Sequence, residues 1–71
     1  MGKFFEVWKL ASKAYGLSRI VHIDLEEAYM RIYQDEKIIV RVEGTCEEIE
    51  DLYIAAALRL LQWMQMRGVK L

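Results

Sequence analysis

The 71-residue sequence contains no proline and no asparagine, and it has one cysteine and one histidine. A single cysteine, Cys46, cannot form an internal disulfide, so a packed core must hold the domain together. The N-terminal segment lacks the unbroken apolar stretch of a signal peptide, because Lys3, Glu6 and Lys9 interrupt it. We therefore expect an intracellular, cytoplasmic protein.

Long hydrophobic runs and an excess of one charge are also absent. The longest apolar run covers residues 54–58, far short of the ~18 residues that a membrane span needs, so no membrane association is expected. The chain has ten basic and eleven acidic residues, and this balance excludes a nucleic-acid module that depends on bulk positive charge. Hydrophobic residues make up 55% of the chain, which excludes a disordered tail and predicts one small folded domain over residues 1–71.

Motifs that carry catalytic chemistry are missing as well. The sequence has no Gly-rich phosphate loop, no GxSxG motif and no HExxH motif. His22 is the only imidazole, whereas a zinc site takes about four ligands. The acidic pairs Glu26–Glu27 and Glu47–Glu48 have no apolar pocket for acid–base work, and Cys46 is interpreted as a half-buried residue beside a helix cap. We expect no enzyme activity and no metal, cofactor or small-molecule ligand.

Two segments have the three- and four-residue periodicity of amphipathic helices. The first covers about residues 3–15 and ends where Gly16 can adopt the left-handed conformation. The second covers about residues 46–67, and Gly68 is its stop signal. It begins at Thr45 and Glu48, which match the capping box of a Ser or Thr followed three residues later by Glu. A helix of that length is about 33 Å long.

The block between the helices, residues 19–43, fits two structures. Residues 24–29 fit a helix that starts with an Asp cap. A strand interpretation fits the apolar pattern better, with a two-residue connection at residues 26–27 and a three-residue connection at residues 34–36. Nine apolar residues then share one face: Val21, Ile23, Leu25, Ala28, Met30, Ile32, Ile38, Val40 and Val42. A slip of one residue would place Arg31 or Arg41 on that face, so burial favours this register.

We therefore predict an α+β fold in the order α-β-β-β-α, a three-stranded antiparallel meander with both helices on its apolar face. The other face of the sheet stays open to solvent, and Tyr29 lies there between Asp24 and Arg41. Exposed aromatic rings interleaved with Arg on a sheet can stack and neutralise single-stranded nucleic acid. The same pairs also stabilise an ordinary wetted sheet, which is the favoured interpretation. The candidate contact residues of this face are Tyr29, Arg31, Tyr33, Arg41 and His22.

The long second helix is apolar around most of its circumference, which is typical of a helix covered on more than one side. The sheet and the first helix are expected to cover its two apolar stripes. Aromatic and methionine side chains beyond those contacts would form an exposed patch suited to adaptable contacts. The candidate self-association residues are Trp63, Met64, Met66 and Phe5. We therefore favour a small protein-interaction module that forms homodimers; the alternative is weak binding of single-stranded nucleic acid through the open face.

The middle of the chain carries a resemblance to other proteins. The stretch Val21-His22-Ile23-Asp24-Leu25-Glu26-Glu27, with residues 30–33 and 38–44, is similar to short uncharacterised proteins of hyperthermophilic archaea. The lack of asparagine and a charged fraction of 30% agree with a thermophilic source. The lack of proline points the other way, since thermostable loops often gain it. The resemblance implies no activity.

Overall fold

The first helix, α1 (Gly2–Tyr15), buries the side on which apolar residues recur every three or four positions. Phe4, Val7 and Ala11 are its buried residues. The helix ends at Gly16, whose φ of +65° costs other residues conformational energy, and the Gly16 N–H donates to the Ser12 carbonyl at 2.9 Å. The expected end of this helix is thereby confirmed. The computed structural model describes residues 2–68.

Three strands follow: β1 (Ser18–Ile23), β2 (Ala28–Gln34) and β3 (Lys37–Gly44). They pair antiparallel in the order β1-β2-β3, so the α-β-β-β-α meander is confirmed and the helix interpretation of residues 24–29 is wrong. Buried and partly exposed residues alternate along β2, as expected for a central strand with one covered face.

The loop between β1 and β2 is longer than predicted. Ile23 lies opposite Ala28, so four residues connect the strands instead of two. The Asp24 carboxylate explains the difference, because its Oδ1 accepts the backbone N–H groups of Glu26 and Glu27, both at 2.8 Å. This side chain closes the loop without the Gly or Asn of a tight hairpin. Leu25 was predicted on the apolar face; that prediction is wrong, since Leu25 lies in the loop and is 94% exposed.

The turn between β2 and β3 is shorter than predicted. Gln34 pairs with Lys37, which leaves a two-residue turn. Both turn residues have positive φ, 49° at Asp35 and 68° at Glu36, as in a type I′ hairpin turn. The strain of this turn is not visible in the sequence, because neither residue is Gly or Asn.

A β-bulge in β3 changes which isoleucine enters the core. Ile32 pairs with Val40 and Tyr33 pairs with Ile38, so Ile39 is the extra residue. Ile38 was expected on the apolar face, but it is about half exposed beside Tyr33. Ile39 packs against the core in its place.

The last helix, α2 (Ile49–Met66), follows a turn of 3₁₀ helix at Cys46–Glu48. The capping box is present, and the Glu48 carboxylate accepts the Thr45 N–H at 3.3 Å and the Thr45 hydroxyl at 2.8 Å. The chain leaves the helix through Gly68 with φ +78°, as expected. Within residues 2–68, neither helix has the length and apolarity to cross a bilayer.

Both helices pack on the same face of the sheet, which confirms the predicted arrangement. The core includes Met30, Ile32 and Val40 from the sheet and Phe4 and Leu60 from the helices. The two helices run in the same direction. The Phe4 ring lies 5.2 Å from that of Tyr53 near their starts, and Tyr15 lies 4.8 Å from Trp63 near their ends.

The apolar face also carries the charged residue Arg19. Arg19 is paired with Ile32 and therefore points towards the helices. Its guanidinium lies 5.0–5.3 Å from the ring centroids of Phe4, Phe5 and Trp8 on α1. Arg19 Nη1 is buried and has no hydrogen-bond partner, so cation–π attraction to the three rings offsets part of the desolvation cost.

Candidate functional site

The open face of the sheet has three rows of cross-strand neighbours. They are Ser18–Tyr33–Ile38, Ile20–Arg31–Arg41 and His22–Tyr29–Glu43. All five predicted contact residues lie in these rows, but their neighbours differ from the prediction. Tyr29 lies between His22 and Glu43 rather than between Asp24 and Arg41. The β1–β2 hairpin is displaced by two residues from the predicted register, and the β2–β3 hairpin by one residue at its turn and by two beyond the bulge. A displacement of two preserves the face of a side chain and changes its neighbours.

The Tyr29 ring is already stacked within the fold. The His22 imidazole lies nearly parallel to it, with centroids 5.0 Å apart and planes inclined by 19°. The Arg31 guanidinium lies 4.5 Å from the same ring centroid. A nucleic-acid base would have to displace one of these groups to stack on Tyr29.

Carboxylates lie beside two of the cationic or titratable groups of the open face. Arg41 Nε is 3.2 Å from Glu43 Oε1, and His22 Nε2 is 2.9 Å from Asp24 Oδ2. These contacts reduce the positive potential that a phosphate backbone would meet. The aromatic and charged side chains of the open face thus contact one another. This is typical of an ordinary solvent-exposed sheet and unlike a nucleic-acid groove, in which these groups are free to bind.

Asp24 is the most strongly perturbed ionisable group of the described residues. The hydrogen bond from the His22 side chain, followed by those from the Glu27 and Glu26 backbone N–H groups, lowers the pKa of the Asp24 carboxyl from its ordinary value of 3.8 to about 2. All three donors favour the carboxylate over the neutral acid.

The same loop brings together the residues that can hold a metal ion. Ligand atoms of His22, Asp24 and Glu27 all lie within 4.8 Å of one another. His22 therefore has two carboxylate-bearing neighbours, and the expectation of no metal site stays a prediction. A tight turn at residues 26–27 would have directed Glu27 away, whereas the longer loop returns it towards His22. The spacing His-x-Asp-x-x-Glu across a hairpin loop was the available sequence signal.

The four predicted self-association residues do not form one patch. Met64 is 1% exposed and belongs to the core, so its assignment to a contact surface is wrong. Trp63 is partly buried against Tyr15, and the Arg67 guanidinium lies 4.9 Å from its ring. Met66 is 87% exposed.

Phe5 lies at the opposite end of the helix pair from Met66. Its ring is 5.8 Å from that of Tyr53, near the start of α2. Tyr53 and Met66 are 13 positions apart, which is about 20 Å along a helix. Phe5 and Met66 are therefore too far apart to share a small contact.

An apolar surface that the sequence interpretation missed lies on the outer side of the two helices. Ile54 and Leu58 on α2 are 51% and 56% exposed, and Leu10 on α1 is 58% exposed. Ile54, Leu58 and Leu61 line a groove with Lys3 of α1. Leu10 is two helical turns beyond Lys3 and therefore lies on the same side of α1. We call Leu10, Ile54, Leu58 and Leu61 the helical patch.

The helical patch exists because α1 covers only part of the apolar side of α2 that Ile54, Ala57, Leu58 and Leu61 form. Ala57 is buried beneath the groove, whereas Ile54 and Leu58 extend past α1 into solvent.

Comparisons with models of known families, with curated proteins and with solved structures found no match for this chain. The surfaces of the domain are thus the basis for assigning it a function.

Proposed function

We propose that this chain is a small interaction module that self-associates through the helical patch. The observation that carries the proposal is the exposure of three aliphatic side chains: Ile54 and Leu58 on one side of α2 and Leu10 on the same side of α1 as the groove residue Lys3 are each more than half exposed. Contiguous exposed aliphatic groups on a small domain mark an interaction surface more often than singly scattered ones do.

A second copy of the chain fits this surface by symmetry. A two-fold axis beside Leu58 places two α2 helices antiparallel, so that Ile54 of one copy faces Leu61 of the second copy. The opposed helix dipoles favour this antiparallel arrangement.

The four residues of the helical patch would form the apolar centre of a dimer interface. A standard interface buries about 800 Å² on each partner, about one sixth of the 5137 Å² that the chain exposes, so it would extend to the residues around the patch. Completing the burial of a half-exposed Leu or Ile contributes about 1 kcal/mol. Leu58 is present once in each copy, so its replacement by a charged residue affects the contact twice.

Sedimentation velocity across a concentration series tests the proposal. We expect a reversible dimer, and Leu58→Glu is expected to weaken it at least ~10-fold while the circular dichroism spectrum stays unchanged. Ile20→Glu is the matched control, because Ile20 is equally exposed but lies on the open face. A wild-type chain that stays monomeric up to about 1 mM would overturn the proposal, as would a dimer that only Ile20→Glu dissociates.

The second candidate function is weak binding of single-stranded nucleic acid through the open face. It is supported by the position of Tyr33, Arg31 and Arg41 on one uncovered surface. The stacking on Tyr29 and the Arg41–Glu43 contact make it the less favoured candidate. An oligonucleotide titration at low salt decides it: binding that Arg31→Gln abolishes supports this function, and no shift of the β2 amides removes it.

We also propose a cytoplasmic and non-catalytic role. The single cysteine supports the compartment. The lack of the common catalytic motifs supports the role.

A further inference from the structure

We infer that His22, Asp24 and Glu27 form a binding site for a divalent transition-metal ion of the zinc type. The three side chains supply one imidazole nitrogen and two carboxylate oxygens, all within 4.8 Å of one another. Such a mixed set suits Zn²⁺ and its first-row neighbours better than Mg²⁺ or Ca²⁺, which prefer oxygen ligands alone. The site lies at the end of the β1–β2 hairpin, away from the helical patch.

The spacing of one pair of ligand atoms is close to what one ion requires, and the Glu27 carboxylate, within 4.8 Å of the others, would have to move inward. Two ligands at ordinary zinc distances in a tetrahedral site are about 3.3 Å apart. His22 Nε2 and Asp24 Oδ2 are 2.9 Å apart. Binding therefore needs the pair to open by a few tenths of an ångström, with the ion replacing the hydrogen bond between them.

Contacts outside the three ligands orient the imidazole. The His22 ring stacks on Tyr29, and Arg31 packs on the same tyrosine. These contacts direct Nε2 towards Asp24 Oδ2, 2.9 Å away. A ring held in this way loses less conformational freedom on binding than a free surface histidine would.

The loop backbone orients the carboxylates. Oδ1 of Asp24 is occupied by two backbone N–H groups, so its other oxygen, Oδ2, faces the imidazole. One of those N–H groups belongs to Glu27, and the Glu27 carbonyl accepts the Asp24 N–H at 2.9 Å. The loop is thus closed by the residues that bear the ligands. Three protein ligands leave positions for water, so binding is weaker than at a closed structural site.

The single histidine gives the experiment a direct probe. The chain contains no other imidazole, so the ring resonances in an NMR titration at neutral pH report on His22 alone. Cys46 Sγ lies 3.5 Å from the Leu25 carbonyl of the same loop, so the titration with Zn²⁺ is carried out on the Cys46→Ser protein to remove the competing thiol. We expect saturable shifts of the His22 ring signals.

Glu27→Gln is the decisive variant, because it removes a ligand and leaves the hydrogen bonds of Asp24 in place. It is expected to weaken Zn²⁺ binding at least ~10-fold. Glu26→Gln is the matched control, since it makes the same charge change one position away and is expected to have less than a ~2-fold effect.

Three results would overturn the inference. They are no shift of the His22 signals up to about 1 mM Zn²⁺, equal weakening by Glu26→Gln and Glu27→Gln, and an equal response to Mg²⁺. The last two would indicate a diffuse counter-ion effect. The outcome is independent of self-association, which Leu58→Glu tests on the opposite face of the fold.

Discussion

Replacing Glu36 with glycine should stabilise the domain. Glu36 is the second residue of the β2–β3 turn and has φ 68°. A left-handed conformation costs a non-glycine residue about 1–2 kcal/mol, while glycine adds about 0.5–1 kcal/mol of entropy to the unfolded chain. The net gain in the free energy of unfolding is therefore about 0.5–1 kcal/mol. In a domain of this size it corresponds to a rise in Tm of roughly 2–8 °C.

Thermal and urea unfolding followed by circular dichroism measure this gain. Glu36→Ala is the matched control, because it removes the same carboxylate but keeps a side chain at positive φ. We expect no increase in Tm for Glu36→Ala. Equal stabilisation by both variants would show that charge, rather than backbone strain, is responsible. A lower Tm for Glu36→Gly would refute the two-residue turn itself.

Three further predictions follow from the core and from the β1–β2 loop. Met64→Ala should cost about 2–5 kcal/mol of unfolding free energy because the side chain is buried, whereas Met66→Ala should change it by less than about 0.5 kcal/mol; urea unfolding compares the two. Arg19→Ala should cost about 2 kcal/mol through loss of its contacts to three rings, and Arg19→Met should cost less because it keeps the apolar stem; equal losses would contradict the cation–π contribution. In the metal-free protein, NMR titration should place the pKa of Asp24 near 2, and His22→Gln should raise it; the contribution of Asp24 to stability is thus present above its ordinary pKa of 3.8 and is lost as pH falls towards 2.

The elements of the fold could be predicted from local signals in the sequence. Gly16 ends α1 and the pair Thr45 and Glu48 precedes α2, because left-handed glycine and the capping box depend on a few adjacent residues. The face of most strand residues could also be predicted. Met30 and Val42 lie in the core as expected, because a register error of two residues leaves each side chain on the same face of the sheet.

The register itself depends on turn chemistry that the sequence pattern does not reveal. Burial excludes a slip of one residue along a whole strand, but it does not exclude a slip of two, or a slip of one at the turn that a bulge corrects. The Asp24 side chain closes a four-residue loop, and Asp35 tolerates positive φ in a turn without glycine. Leu25 and Ile38 were misplaced for this reason, since each lies next to a connection whose length was wrong.

The same distinction applies to the candidate sites. Tyr29 and Arg31 lie on the open face as expected, because the face on which a strand residue lies depends only on its position in the alternation along the strand. Their partners depend on register, so the stacking of His22 on Tyr29 could not be foreseen. The cluster with Glu27 depends on the loop, and the exposure of Leu58 depends on how far α1 covers α2.

Oxidative cross-linking at position 58 tests the proposed self-association most directly. In the Cys46→Ser background, Leu58→Cys lies beside the proposed two-fold axis, where two Cα atoms approach within the ~7 Å that a disulfide allows. Ile54→Cys is equally exposed, but its two copies would be about 12 Å apart along the helices. We predict a disulfide dimer for Leu58→Cys and a monomer for Ile54→Cys under the same mild oxidation. Equal cross-linking of both variants, or of neither, would contradict a dimer centred on Leu58.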